Sequence, residues 1–346
     1  MMKIPGPWTL APFALLVFAV ASCSSKDKAP QAMERVPAST STAPRAEAAS
    51  PVAKAVPADL VEKCRAFELP WGDQWWVEWG QQNPEKGEMW YDTIEEKMRK
   101  VDLSVLPQCS HMTHLFLGFT NIEDLSVLSG FKNLKKLDLR MSTKIKDLTP
   151  LKDLVNLEDL VISQTGVKDL SPLASLPKLR ELEAQMMILD DISPIAQMKA
   201  LVRVDFYKST VKDAAPIAKA PLVSQVRLCE TDVSDLKPLL PVAKRITQLD
   251  VCQTRITDFD TLPAFENLHL LRVLGTPISD LRVIAGMKDL ETLDISKTKV
   301  KDLSPLLDLK RLKEVDMLMM DIDDAQVEAL KKAIPGVDIK RKMVFK

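Results

Sequence analysis

Three separated stretches, 157-LEDLVISQTGVKDLSPL-173, 223-VSQVRLCETDVSDLKPL-239 and 290-LETLDISKTKVKDLSPL-306, obey one pattern of apolar and polar positions, L-x-x-L-x-L-x-x-T-x-I/V-x-D-L-x-P-L. Alternation over positions 3 to 7 is the period of an extended chain: positions 4 and 6 turn to one side, positions 3, 5 and 7 to the other. Positions 11, 14 and 17 supply a second apolar rung after a turn. The sixth position falls at Leu117, Leu139, Ile162, Ala184, Phe206, Leu228, Val251, Val273, Ile295 and Met317, in steps of 22 or 23 residues.

One such copy cannot bury its own apolar face, but stacked copies can. Stacking predicts a parallel sheet with strands about 4.8 Å apart, roughly 45 Å from the first to the tenth. The pattern over residues 101 to 340 resembles the 22-residue leucine-rich repeat of bacterial internalins and of bacterial lipoproteins. That resemblance implies an α/β leucine-rich repeat solenoid, with its sheet on the concave face and short helices or 3-10 turns on the convex face.

Three columns read as structural. Position 13 is aspartate in every copy: Asp124, Asp147, Asp169, Asp191, Asp213, Asp235, Asp258, Asp280, Asp302 and Asp324. Neighbouring copies lack the further acidic ligands and glycines of a calcium array, so these carboxylates are expected to accept backbone N–H bonds at the turn. Proline at position 16 suits the first turn of a short helix, with the Ser or Thr before it as N-cap. Position 9, Thr or Ser in eight copies, stands where related repeats carry asparagine and is expected to bond the backbone similarly.

The array needs covered ends. Residues 323-DDAQVEALKKAIPGVDIKRK-342 read as a terminal cap, an amphipathic helix with Val327, Leu330 and Ile334 facing in, then a strand around 337–339, with Lys340 and Lys342 at a solvated end. Before the array, 102-DLSVL-106 is half a copy. It is preceded by three helical stretches at 59–67, 71–80 and 88–100. The middle one, 71-WGDQWWVEW-79, concentrates four tryptophans, Trp71, Trp75, Trp76 and Trp79, and Trp90 follows. Its position favours a cap over the open end. An exposed aromatic platform for glycan is the alternative.

The chain start adds an address. Residues 8 to 22 form an apolar run closing on 20-VASC-23. It is shorter than the span of about 20 residues that a membrane helix needs. The run resembles the lipobox of bacterial lipoproteins, which implies acylation of Cys23 and, with Ser24 after it, the outer membrane. Residues 24 to 58, with ten alanines and five prolines, are too poor in large apolar groups to fold and read as a tether. The organisation expected is therefore signal peptide 1–22, tether 24–58, Trp-rich cap 59–100, ten repeats 101–322 and terminal cap 323–346.

Composition narrows the function. Lys and Arg total 47 against 48 Asp and Glu, which leaves no basic footprint for nucleic acid. No phosphate-binding glycine loop or nucleophile elbow appears, and no cofactor is implied. Cys109, His111 and His114 lie together, too few for a zinc site, and no metal is expected. Cys64 and Cys109 are expected to form a disulfide between cap and array. Cys229 and Cys252 share position 7 in adjacent copies, with Cα atoms close enough for a disulfide, and either state is open.

Position 5 reads Phe116, Asp138, Val161, Glu183, Asp205, Arg227, Asp250, Arg272, Asp294, Asp316. Its alternating signs suit either a ladder of exposed ion pairs or a stripe recognising a partner. Position 7 offers a less polar centre, Tyr207, Cys229, Cys252 and Leu274. In the methionine clusters 186–188 and 317–320, Met187 and Met320 are expected to pack inward where threonine is missing. The best candidate for contact is the concave centre: Tyr207, Arg227, Cys229, Asp250, Cys252, Arg272 and Leu274. The expected function is non-catalytic binding of a protein or peptide at the cell envelope, with the oligomeric state open. The competing classes are a glycan-binding or structural envelope protein and an enzyme whose site lies within 59–100.

Overall fold

The computed structural model describes residue 59, residues 63–67 and residues 98–341, all within one compact unit. The apolar run, Cys23, the tether and the five tryptophans from Trp71 to Trp90 lie outside the described residues.

The repeat becomes eleven three-residue strands: β1 His114–Phe116, β2 Lys136–Asp138, β3 Asp159–Val161, β4 Glu181–Glu183, β5 Arg203–Asp205, β6 Gln225–Arg227, β7 Gln248–Asp250, β8 Leu270–Arg272, β9 Thr292–Asp294, β10 Glu314–Asp316 and β11 Asp338–Lys340. They form one open parallel sheet in chain order. Equivalent residues pair throughout: Leu115 with Leu137, Val226 with Leu249, Val315 with Ile339. The connections run through short 3-10 turns and one short helix, α1 Ala215–Lys219, and α2 Asp324–Ala333 closes the array.

Positions 4, 6, 11, 14 and 17 point into one continuous core. A further rung completes it: Phe131, Leu154, Leu176, Met198, Ala220, Ala243, Phe265, Met287 and Leu309, just before each new copy, are buried. The extra residue of the two 23-residue copies lies away from the strands. One falls in the turn after Ser142, and the other lengthens the 3-10 segment Lys237–Arg245. The strands therefore stay in register.

The turn aspartates perform the expected bonding with one correction of detail. The Oδ1 of Asp124, Asp147, Asp169, Asp191, Asp213, Asp235, Asp258, Asp280 and Asp302 accepts the N–H two residues on. These aspartates, rather than the Ser or Thr before proline, cap the convex segments. The residue directly preceding those segments is usually a leucine with no side-chain bond. Bonds from Ser126, Thr149, Ser171 and Ser193 hold their aspartates below the usual carboxylate range. The last copy slips by one residue: Asp323 caps α2 by accepting from Ala325, and Asp324 pairs with Arg341.

Position 9 works in two ways. The hydroxyls of Thr120, Thr165, Thr231, Thr254, Thr276 and Thr298 donate to the carbonyl three residues back. Ser142 and Ser209 donate to Leu117 and Ala184 of the preceding copy. Met187 is buried and Met320 packs against the core, each with a threonine hydroxyl 3.7 Å from its sulfur.

Position 8 holds a feature that the residue types conceal. Phe119, Met141, Gln164, Met186, Lys208, Glu230, Gln253, Gly275, Lys297 and Met319 all have φ between 51° and 69°. The chain leaves each strand through a left-handed residue whose N–H bonds the next copy, as Lys297 does to Leu318. Left-handed backbone costs a non-glycine residue about 1–2 kcal/mol, against about 0.5–1 kcal/mol of extra entropy lost by glycine. Lys297 is exposed, so Lys297→Gly is expected to raise stability by roughly 0.5 kcal/mol and Lys297→Val to lower it by about 1 kcal/mol or more. Urea midpoints of the two variants would test this, and equal midpoints would contradict it.

Candidate functional site

The outward rows of the sheet make the candidate surface. Strand register lines up the fifth position as Val161, Glu183, Asp205, Arg227, Asp250, Arg272, Asp294, Asp316 and finally Lys340. Lys340 is thus the eleventh rung, exposed as expected but 3.5 Å from Asp316 and also paired with Glu314.

This row is not the exposed ladder that its charges suggest. Asp138, Asp205, Asp250, Asp294 and Asp316 are only 1–5% exposed. The reason is local. In Asp138, Asp205, Asp250 and Asp294 the Oδ1 turns along its own strand to accept the N–H of the seventh position, from Arg140, Tyr207, Cys252 and Ser296, at 2.9–3.2 Å. Strand spacing then stacks the neighbouring side chains over them. Ser163 and Ser296 serve the same end across strands, their Oγ accepting the N–H of Gln185 and Leu318.

Arg227 organises the centre. Its Nη1 donates to Asp205 Oδ2 at 3.1 Å, its Nε lies 3.2 Å from Asp250 Oδ2, and its guanidinium sits 4.8 Å over the Tyr207 ring. Gln185 donates to the same Asp205 oxygen at 2.9 Å. Arg272 Nη1 approaches Asp250 Oδ2 at 3.8 Å. Tyr207 donates its hydroxyl to Glu230 at 2.9 Å, and Lys208 lies 3.6 Å from the other Glu230 oxygen. Burial and the Glu230 carboxylate push the Tyr207 phenol up to about 12, so it remains a proton donor. Removing Arg227 would strand two buried carboxylates, a loss of about 3–5 kcal/mol rather than the 0–1 kcal/mol of an exposed pair.

The seven contact residues expected from sequence therefore divide. Tyr207, Arg227, Arg272 and Leu274 keep part of their surface, whereas Cys229, Asp250 and Cys252 are buried. Cys229 and Cys252 are disulfide-bonded across β6 and β7, with Cα atoms 4.5 Å apart. Around this centre Arg203, Lys208, Gln248 and Gln253 are exposed. Sequence reasoning assigned Arg203 and Gln248 no role, and their third position, two residues before the charged row, was the available signal.

The other candidates are placed elsewhere. Cys64 is bonded to Cys109 with Cα atoms 5.7 Å apart, joining the segment before the array to its half copy. This takes Cys109 out of reach of a site with His111 and His114. His114 shares a hydrogen bond with Thr113, and burial lowers its pKa. Among the methionines, Met186 and Met319 are exposed, as is Ile188.

Comparison with known proteins supports the fold. A family profile described as leucine rich repeats (2 copies) matches residues 110–153. No curated protein matches the chain. Among solved structures it is similar to an internalin from Listeria monocytogenes, at 24% identity and a TM-score of 0.60 over 71% of each chain. It is also similar to a leucine-rich-repeat protein of Leptospira interrogans, at 15% identity and a TM-score of 0.56 over 68% of this chain and 74% of that one. A TDR receptor aligns at 14% identity and a TM-score of 0.53, over 74% of this chain and 45% of the receptor. The architecture is a leucine-rich repeat solenoid.

Glu183 tests the electrostatics of the row. Burial, aided by Asp205 and Asp138 and opposed by Arg140, raises its pKa to about 7 from 4.5. In the unfolded chain it ionises near the ordinary value, so its ionisation favours unfolding and stability falls as pH rises from about 4.5 to about 7. Glu183→Gln removes that loss. The variant should gain on wild type by about 1–2 kcal/mol more at pH 8 than at pH 4. Thermal melts at both pH values that show the same difference would contradict the assignment.

Proposed function

We propose that this leucine-rich repeat array is a non-catalytic recognition module that takes a protein or peptide on its strand face. The observation that carries the reading is the fixed centre of that face. Tyr207, Arg227, Asp205, Asp250 and Glu230 hold one another in place, ringed by exposed Arg203, Lys208, Gln248 and Gln253. Preorganised aromatic and arginine groups inside a polar rim are what an interface requires, since little side-chain freedom remains to be lost on binding. The fold is widely used for protein recognition.

Arg227 is a poor residue with which to test this, because its replacement destabilises the array. The rim gives a cleaner test. A photo-crosslinking residue at Gln248 or Arg203 should capture a partner in the native cell, while one at convex Lys152, also exposed, should not. Equal capture from both faces, or none from Gln248 and Arg203, would count against the strand face.

The module is further proposed to be anchored to the cell envelope, at the outer membrane, by lipid on Cys23, with the segment 24–58 as a tether that holds the folded part away from the membrane. Support comes from 20-VASC-23 after an apolar run and from the composition of that segment. Two or more acyl chains anchor stably where one does not. Cys23→Ala should move the protein from the membrane fraction to the soluble fraction. Unchanged sedimentation with membranes would remove the lipid anchor from the proposal.

A further inference from the structure

Cys229 and Cys252 occupy one row of the sheet, and Asp250 lies two residues before Cys252 in β7. Each sulfur and a carboxylate oxygen of Asp250 lie within 4.8 Å of one another. All three residues are buried. Among the described residues this is the group whose donors converge in the manner of a metal site.

We propose that reduction of the Cys229–Cys252 bridge opens a two-thiolate, one-carboxylate site for a thiophilic divalent ion of the zinc type. The inference does not depend on the strand face binding a protein. It rests on three features. First, the two cysteines stand two residues past the paired residues Arg227 and Asp250 that end β6 and β7, with Cα atoms 4.5 Å apart. A tetrahedral zinc with Zn–S bonds of about 2.3 Å separates its sulfurs by about 3.8 Å, which that spacing accommodates without moving the strands. The strands are in turn held by the whole ladder, Gln225 against Gln248 and Arg227 against Asp250.

Second, Asp250 has an oxygen to give. Its Oδ1 accepts the Cys252 N–H at 3.2 Å, and its Oδ2 lies 3.2 Å from Arg227 Nε. That nitrogen is buried and makes no hydrogen bond, so the Oδ2 contact with it is one of charge and leaves a lone pair available for an ion. The Cys252 bond meanwhile fixes the carboxylate beside the sulfur, as an outer partner of a metal ligand does.

Third, the charge is compensated. Two thiolates and a carboxylate would be an unfavourable set in a buried place by themselves. Arg227 and Arg272 face Asp250 at 3.2 and 3.8 Å, and with a divalent ion they balance the two thiolates, Asp250 and Asp205, which Arg227 also pairs. Soft sulfur donors select zinc or cadmium over magnesium or calcium.

The chemistry balances with a thiol reductant. Two R–SH give two electrons and two protons to the bridge and leave as RS–SR, and the Cys229–Cys252 S–S bond becomes two S–H groups. Ion binding then releases both thiol protons to water and forms two metal–sulfur bonds and one bond to Asp250, with water at the fourth position. Bridge and ion are alternative occupants of the same two sulfurs.

The full chain, oxidised or reduced, is titrated with cobalt(II) and then with zinc(II). Expected are thiolate-to-cobalt charge-transfer absorption from one ion per reduced chain, its displacement by zinc, and no such absorption from the oxidised chain. Cys229→Ser or Cys252→Ser should abolish the absorption, and Asp250→Asn should weaken zinc binding by on the order of tenfold or more. Circular dichroism of each variant confirms folding. A Cys64→Ser/Cys109→Ser chain separates the two bridges. If that chain does not fold, the difference between wild type and Cys229→Ser carries the test. No absorption from the reduced wild type, absorption that survives both Cys229→Ser and Cys252→Ser, or zinc binding unchanged in Asp250→Asn would overturn the proposal.

Discussion

Register is the constraint on which everything else in this chain depends. Parallel strands joined by backbone bonds place each residue directly beside its equivalent one copy away, about 4.8 Å off. A residue type is therefore chosen for its own place and for the company of its neighbours in the row. Leucine beside leucine is favourable along the whole core. Carboxylate beside carboxylate is not, and the fifth-position row shows the remedies. Asp205 and Asp250 are separated by Arg227, Asp250 and Asp294 by Arg272, and Asp316 is terminated by Lys340. Between Glu183 and Asp205 no cation intervenes, and burial together with the like charges of Asp205 and Asp138 pushes the Glu183 carboxyl toward its neutral form.

The same constraint explains why the turns tolerate left-handed residues of many types. The bend after each strand is fixed by the N–H of position 8 bonding the carbonyl of the next copy, Lys208 to Cys229 and Gln253 to Leu274. The geometry is imposed by the stack, so side chains as unlike as Phe119, Met186 and Glu230 accept the same φ. Each such strain of about 1–2 kcal/mol is offset by core burial and, in the eight copies with Thr or Ser at position 9, by a hydroxyl that bonds the backbone at the turn.

This accounts for what was legible in the sequence. The apolar period disclosed the strands, their order and the core rows, because burial acts on residue type directly. The turn aspartates were legible for the same reason, a short acceptor being needed at one fixed place. The left-handed column was hidden, since only Gly275 among its members carries the conformational signature, and so was the burial of the charged row. Charge alternation reads as solvent exposure until the Asp138 and Asp250 carboxylates are seen turned to their own backbones. The nearness of Asp250 to both cysteines was hidden too, since it depends on the carboxylate turning along its own strand to the Cys252 N–H.

Burying charge in the strand face has a consequence for recognition. Replacing a buried ion network by apolar side chains is often neutral or stabilising, so stability alone gives little reason for Asp205, Arg227, Asp250 and Arg272 to persist at the centre. What the network does supply is rigidity. Arg227 is tied on two sides by carboxylates and rests on the Tyr207 ring, and Tyr207 is tied through its hydroxyl to Glu230. On the proposed reading, a partner arriving at this face would meet an aromatic edge and a guanidinium that need no reordering, and would lose side-chain freedom mainly at the rim. On that reading, discrimination would fall to the exposed third and eighth positions, Arg203, Gln248, Lys208 and Gln253. The fixed centre and the exposed rim are two results of one spacing: residues two apart on a strand point to the same side, but the fifth-position aspartates are covered by their neighbours while Arg203 and Gln248 of the third-position row stay open.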